Sequence, residues 1–197
     1  MGNPNRVSGV ILAGGLARRM EHQDKGLITY KDRPLVSYAI AAMLPVVDKL
    51  MINANRNLVA YQQFGLPVVA DQSGSFDGPL AGILTALAHA DAEVLLVMPC
   101  DCPLVTAGHL RVLLDVRKME DADIAVAFDG ERLHPVFLAI KTSVRRGLED
   151  YLASGWRKVE DWLLSCNTVK ADFSKQPDVF VNINTMAELI RLEEQGR

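Results

Sequence analysis

A chain of 197 residues, 49% hydrophobic and 23% charged, can bury roughly 70% of its unfolded surface in one globular domain, which excludes disorder as its dominant state. With 21 basic against 24 acidic residues and a net charge of −3, it has no global positive field, so non-specific attraction to nucleic acid is excluded. No apolar run reaches the about 18 residues that a membrane span needs, and none is expected.

Apolar runs alternate with helical patterns from the start, the order of β-α-β units that feed a parallel sheet. Residues 7–13 are the first predicted strand, 34–44 a helix, 49–53 a strand, 57–64 a short helix stopped by Gly65, and 67–70 the next strand. A clear helix follows Gly78: Pro79 suits a first turn, and Leu80, Ile83, Leu84 and Leu87 fall on one face. Residues 93–98 are almost continuously apolar, as a strand covered on both faces should be. A helix over 106–119 comes next, then strands at 124–128 and 136–140 that pair antiparallel near the Asp129-Gly130 turn signal. The remainder predicts helices at 143–153 and 158–165, strands at 168–172 and 179–182, and a last helix whose start carries the Thr185/Glu188 capping-box spacing. The expected fold is α/β: a three-layer α/β/α sandwich on a mostly parallel, twisted sheet with one antiparallel strand, residues 1–197 forming a single domain.

Three cysteines, Cys100, Cys102 and Cys166, lack metal-ligand spacing and are odd in number, which fits reduced thiols and a cytoplasmic location. The segment from Met1 to Arg6 lacks the basic start and apolar core of a secretory signal, in keeping with that expectation. A monomer is expected.

In an open α/β sheet, ligands bind beyond the carboxyl ends of the strands. Those ends read Leu12-Ala13-Gly14-Gly15, Asn53-Ala54-Asn55, Asp71 and Pro99-Cys100-Asp101, and they are expected to converge. Gly14-Gly15 opens a loop bearing Arg18, Arg19 and Lys25, where unobstructed backbone amides and cations together suit a triphosphate. At an effective dielectric near 20, one cation about 4 Å from one phosphate charge contributes roughly 4 kcal/mol before desolvation. A solvated basic loop is the bland alternative; the joint pattern favours the phosphate site. The third glycine of a dinucleotide fingerprint is missing, and Lys25 precedes Gly26 instead of following a P-loop glycine, which argues against hydride transfer and P-loop hydrolysis.

The spacing L-A-G-G-x-x-x-R-M-x-x-x-D-K-G, from Leu12 to Gly26, resembles the opening motif of Rossmann-like, GT-A-like nucleotidyltransferases. Within that superfamily the whole chain resembles the molybdenum cofactor guanylyltransferase family, MobA. The resemblance runs through Asn53-Ala54-Asn55-Arg56, Asp71, Gly78-Pro79-Leu80-Ala81-Gly82, Pro99-Cys100-Asp101-x-Pro103, His134-Pro135 and Val181-Asn182-x-Asn184-Thr185. It implies transfer of GMP from Mg-GTP to the terminal phosphate of molybdenum-bound molybdopterin, with release of pyrophosphate. It also implies transient contact with cofactor-synthesis or cofactor-receiving proteins. The chain departs from the family at Glu21-His22, where glycines are frequent, and Glu21 is expected to face solvent or pair with Arg18 or Arg19.

Attack by an anionic phosphate on a phosphoanhydride meets charge repulsion, so catalysis rests on alignment and neutralisation. The resemblance makes Asp101 the magnesium ligand, with a turn-forming aspartate as the alternative, and gives Arg19 and Lys25 the triphosphate and the departing pyrophosphate. Leu12, Ala13, Gly14, Gly15, Asn53 and Asp71 are implied in nucleotide binding, the Asp71 carboxylate being able to accept from the adjacent N1 and N2 donors of guanine. Gly78 and Gly82 either serve the nucleotide or only start and pack a helix. Asn182 and Asn184 match the family's Asn-x-Asn turn and would meet the pterin; asparagine before a capped helix explains them equally well. Competing functions are a CTP-dependent relative, a GTP-binding module without turnover, and, more remotely, a dehydrogenase.

Overall fold

The computed structural model describes residues 6–13, 24–71 and 78–195. The apolar run Val94-Leu95-Leu96-Val97-Met98 lies at the centre of a seven-stranded sheet and is buried along its length. In chain order the elements are β1 (Val7–Leu12), β2 (Thr29–Tyr30), β3 (Arg33–Pro34), α1 (Leu35–Met43), β4 (Lys49–Asn53), α2 (Leu58–Gln62), β5 (Val68–Val69) and α3 (Pro79–His89). There follow β6 (Val94–Pro99), α4 (Ala107–Met119), β7 (Ile124–Phe128), β8 (Leu133–Lys141), α5 (Arg145–Ala153), α6 (Val159–Leu164), β9 (Thr168–Asp172) and α7 (Met186–Gln195).

The sheet order is β5-β4-β1-β6-β8-β7-β9, and β2 and β3 form a separate hairpin. All neighbours in the large sheet pair parallel except those of β8, which runs antiparallel to both β6 and β7. That strand begins three residues before the predicted start at 136, and its register against β7 shifts at Val126/Ala127. The Asp129-Gly130 signal is the turn between them, with Gly130 at φ 102°.

Each face of the sheet carries its own apolar layer. Ala39 and Met43 of α1, Tyr61 of α2 and Leu110 and Leu113 of α4 pack on one face; Leu80, Ile83 and Leu87 of α3, Leu148 of α5 and Trp162 and Leu163 of α6 pack on the other. This is the expected three-layer sandwich. A third, smaller cluster joins Ile28, Tyr30 and Leu35 to Ile183, Leu189 and Leu192, so the last helix is docked on the β2–β3 hairpin and the start of α1.

Helix α3 begins as its sequence requires: Gly78 adopts φ 78°, a conformation that L side chains rarely take, and Pro79 follows in the first turn. The Thr185/Glu188 capping box is present, with the Thr185 N–H donating to Glu188 Oε2 (2.9 Å) and the Glu188 N–H to Thr185 Oγ1 (3.2 Å). The strand expected at 179–182 is absent. Pro177–Phe180 forms a 3-10 turn instead, because Pro177 has no N–H to give a ladder and Phe180 buries against Phe137 and Phe173.

Candidate active site

Strand order reverses at β1, with β4 and β5 on one side and β6 and all later strands on the other, so the carboxyl ends of β1 and β6 flank a topological switch point. Of the strand ends expected to converge, Leu12-Ala13, Asn53-Ala54-Asn55, Asp71 and Pro99-Cys100-Asp101 do so there, while Gly14-Gly15 lie outside the described residues. The Ala13 N–H donates to the Asn53 carbonyl (2.8 Å), the Cys100 N–H to the Leu12 carbonyl (3.1 Å) and the Ala54 N–H to the Val69 carbonyl (3.0 Å).

Lys25 stands at the centre of the edge. Its Nζ donates to Asp101 Oδ2 at 3.3 Å and also to Asn184 Oδ1, with side-chain exposures of 23% for Lys25 and 12% for Asp101. Residues from the start, middle and end of the chain are therefore joined through one ammonium. The tie to the carboxyl-terminal part is reinforced by the backbone: the N–H of fully buried Ile183 donates to the Asp101 carbonyl (3.0 Å). Asn182 and Asn184 flank that anchor. Asn182 lines a cleft of about 580 Å³ together with Asp101, Cys102, Arg132, His134 and Phe180.

What aims Lys25 is the residue before it. Asp24 is buried and accepts from the Tyr61 hydroxyl and from Asn57 Nδ2 (3.1 Å), while Arg56 Nε approaches it to 3.6 Å. Burial, with the neighbouring Cys100 and Asp24, pushes the Tyr61 phenol far above its ordinary range, so it stays a donor. The sequence alone does not single out this network. Its partners lie on α2 and the loop before it, and nothing local to Asp24 announces them. Burial and then the charge of Asp101 raise the thiols of Cys100 and Cys102 as well, keeping both protonated and unreactive.

Asn53 and Asp71 form a second group beside β4. Asp71 Oδ1 accepts from Asn53 Nδ2 (2.8 Å) and Thr85 Oγ1 (3.3 Å), and Oδ2 from Asn55 Nδ2 (2.7 Å). A carboxylate offers about four acceptor positions. A two-donor clamp on guanine therefore requires Asp71 to release one internal partner. Gly82 packs directly on this group, since a Cβ there would lie 2.4 Å from Asn53 Oδ1. Gly78, by contrast, has open space around it. Gly14, Gly15, Arg18, Arg19 and Glu21 lie outside the described residues.

The MobA-like NTP transferase domain family matches residues 9–168, a span that contains Lys25, Asn53, Asp71 and Asp101. A molybdenum cofactor guanylyltransferase of Shewanella halifaxensis is 45% identical over 189 residues, covering 96% of this chain and 94% of the relative. One from Shewanella loihica is 43% identical and covers 96% of each. The chain belongs to this family. As a MobA-like chain it is a nucleotidyltransferase of the molybdenum cofactor guanylyltransferase type. The fold agrees: the crystal structure of molybdopterin-guanine dinucleotide biosynthesis protein A from Archaeoglobus fulgidus superposes with a TM-score of 0.78 at 22% identity, covering 96% of this chain and 98% of that one. A nucleotidyl transferase from Methanothermobacter gives 0.76 at 20% identity, covering 97% of each. In this MobA-like chain the paired Lys25 and Asp101 lie beyond the carboxyl ends of the strands at the switch point, the general place for a ligand in an open α/β sheet.

Proposed function

We propose that the chain transfers GMP from magnesium-bound GTP to the terminal phosphate of molybdenum-bound molybdopterin, forming the guanine dinucleotide cofactor and releasing pyrophosphate. The observation that carries this reading is the Lys25–Asp101 pair, reached also by Asn184, at the switch point of a MobA-like chain.

The donor set suits a substrate-borne divalent cation. Among the described residues no group of three or more His, Cys, Asp or Glu side chains could hold a metal. Asp101, with a cation already 3.3 Å from Oδ2, supplies one hard oxygen, and magnesium takes one or two carboxylates when phosphates and water complete its shell. When bound, the metal would neutralise charge on the phosphate oxygens. Lys25, with Arg19 as its proposed companion, would draw the triphosphate down and balance the charge that builds as the bond between the α- and β-phosphates breaks. The pair of electrons leaves with pyrophosphate while an oxygen of the acceptor phosphate bonds to the α-phosphorus. Leu12, Ala13, Gly14 and Gly15 would supply backbone contacts to the nucleotide, with Gly78 at the start of α3 beside them. Asn53 and Asp71 would act on the base as one unit, kept in place by the tight seat at Gly82. Asn182 and Asn184 would meet the pterin.

Incubation with each nucleoside triphosphate, magnesium and molybdopterin, followed by mass measurement, tests the reading. A GMP adduct and pyrophosphate are expected from GTP alone. A CMP adduct would transfer the assignment to a CTP-dependent relative, and binding without an adduct would indicate a nucleotide-sensing module. Asp71→Asn is expected to erode the preference for GTP over ATP and CTP, and unchanged selectivity would remove Asp71 from base recognition.

A further inference from the structure

His134 takes no part in the Lys25–Asp101 or the Asn53–Asp71 group. It is only 9% exposed, and because β8 runs antiparallel, its amino-terminal end brings His134 to the sheet edge where β6 delivers Asp101. Both line the cleft with Asn182.

One side of its ring is committed. Asp129 Oδ1 accepts the backbone N–H groups of Arg132 (2.8 Å) and Glu131 (2.9 Å), which hold its carboxyl well below the usual range. An ionised carboxylate has no proton to give, so at the 2.7 Å contact between Asp129 Oδ2 and His134 Nε2 the imidazole is the donor. In the neutral ring Nδ1 is then a lone pair. It has no partner among the described residues and is not among the sealed, unsatisfied polar atoms, so it remains open to solvent. The ring plane is fixed by stacking on Phe180 (4.3 Å, 24°) and by the edge of Phe137 (6.3 Å).

We propose that His134 binds the acceptor substrate, its Nδ1 taking a hydrogen bond from an N–H of a flat heteroaromatic ring. A lone pair repels phosphate oxygens but suits such a donor. The cleft walls agree with that class: Pro135, Phe137 and Phe180 are apolar, and the Glu160 carboxylate offers a second acceptor. The inference rests on the function proposed above, with the pterin of the acceptor as the ring.

Three variants test it by molybdopterin binding and by the KM for each substrate, with thermal melts to confirm folding. His134→Phe keeps the stacking and loses both nitrogens; it is expected to weaken molybdopterin binding and raise its KM by about tenfold, the worth of one neutral hydrogen bond, with the KM for GTP unchanged. His134→Asn places an amide near Nδ1, and His134→Gln reaches instead toward Asp129. The asparagine is expected to restore molybdopterin binding better than the glutamine. A histidine that merely staples the turn would give the reverse ranking, and that ranking, or a KM for molybdopterin within about twofold of wild type in His134→Phe, would overturn the proposal. Failure of the wild-type protein to transfer GMP would overturn the proposed function instead.

Discussion

Lys25 is shared between Asp101 and Asn184, so its removal unlinks the two halves of the site and, in the proposed reaction, would also leave the departing phosphates without that charge. Lys25→Ala is expected to lower kcat by about 10²–10³, the usual loss for one electrostatic contact to the transition state, as measured by pyrophosphate release. Gly82 is the opposite case, a residue that acts by having no side chain. Gly82→Ala forces Asn53 aside at a cost of about 1–3 kcal/mol, readable in urea unfolding, and the double variant Gly82→Ala/Asn53→Ala is expected to recover most of that stability without recovering nucleotide binding. Tyr61 sets a pH limit. Its proton is held in the folded state beyond the value near 10 at which an unfolded tyrosine loses it, so above about pH 10 the unfolded chain binds fewer protons and stability falls as pH rises. Tyr61→Phe is expected to flatten that decline, which urea unfolding across pH 9.5 to about 11 would measure.

Among the elements, those that present the site were legible where periodicity and strand ends speak for themselves. The run at β6 declared its burial, and Lys25, Asp101, Asn182 and Asn184 could be picked out by motif before any contact was visible. The failures have physical causes. Lys31 and Asp32 turn the β2–β3 hairpin at φ 45° and 64° without the glycine or asparagine that normally signals such a turn. The β-branched Val179 and Val181 suggest a strand, yet Pro177 and the burial of Phe180 select a 3-10 turn. Asp24 meets Tyr61 across 37 positions, and its value as a brace for Lys25 exists only in three dimensions. The segment carrying Ile183 shows how packing governs chemistry at this scale. Ile183→Ala is expected to cost about 2–5 kcal/mol and to weaken molybdopterin binding more than GTP binding, because the segment carrying Asn182 and Asn184 keeps its backbone bond to Asp101 but loses the apolar packing that seats it.

At the scale of the molecule, both apolar layers rest on the same sheet, so neither can melt without exposing the strands that support the other. One cooperative urea transition is expected, with the fluorescence of buried Trp162 and far-UV circular dichroism coinciding; two separated transitions would contradict a single folding unit. Mg-GTP at about 100 times its Kd should add roughly 2.7 kcal/mol to that transition. The contact between Lys25 and Asn184 spans 159 positions, among the last that a collapsing chain can close. A protein diluted from denaturant should therefore regain its ellipticity first and its grip on nucleotide later, the interval being the time taken for the distant ends of the polypeptide to find one another.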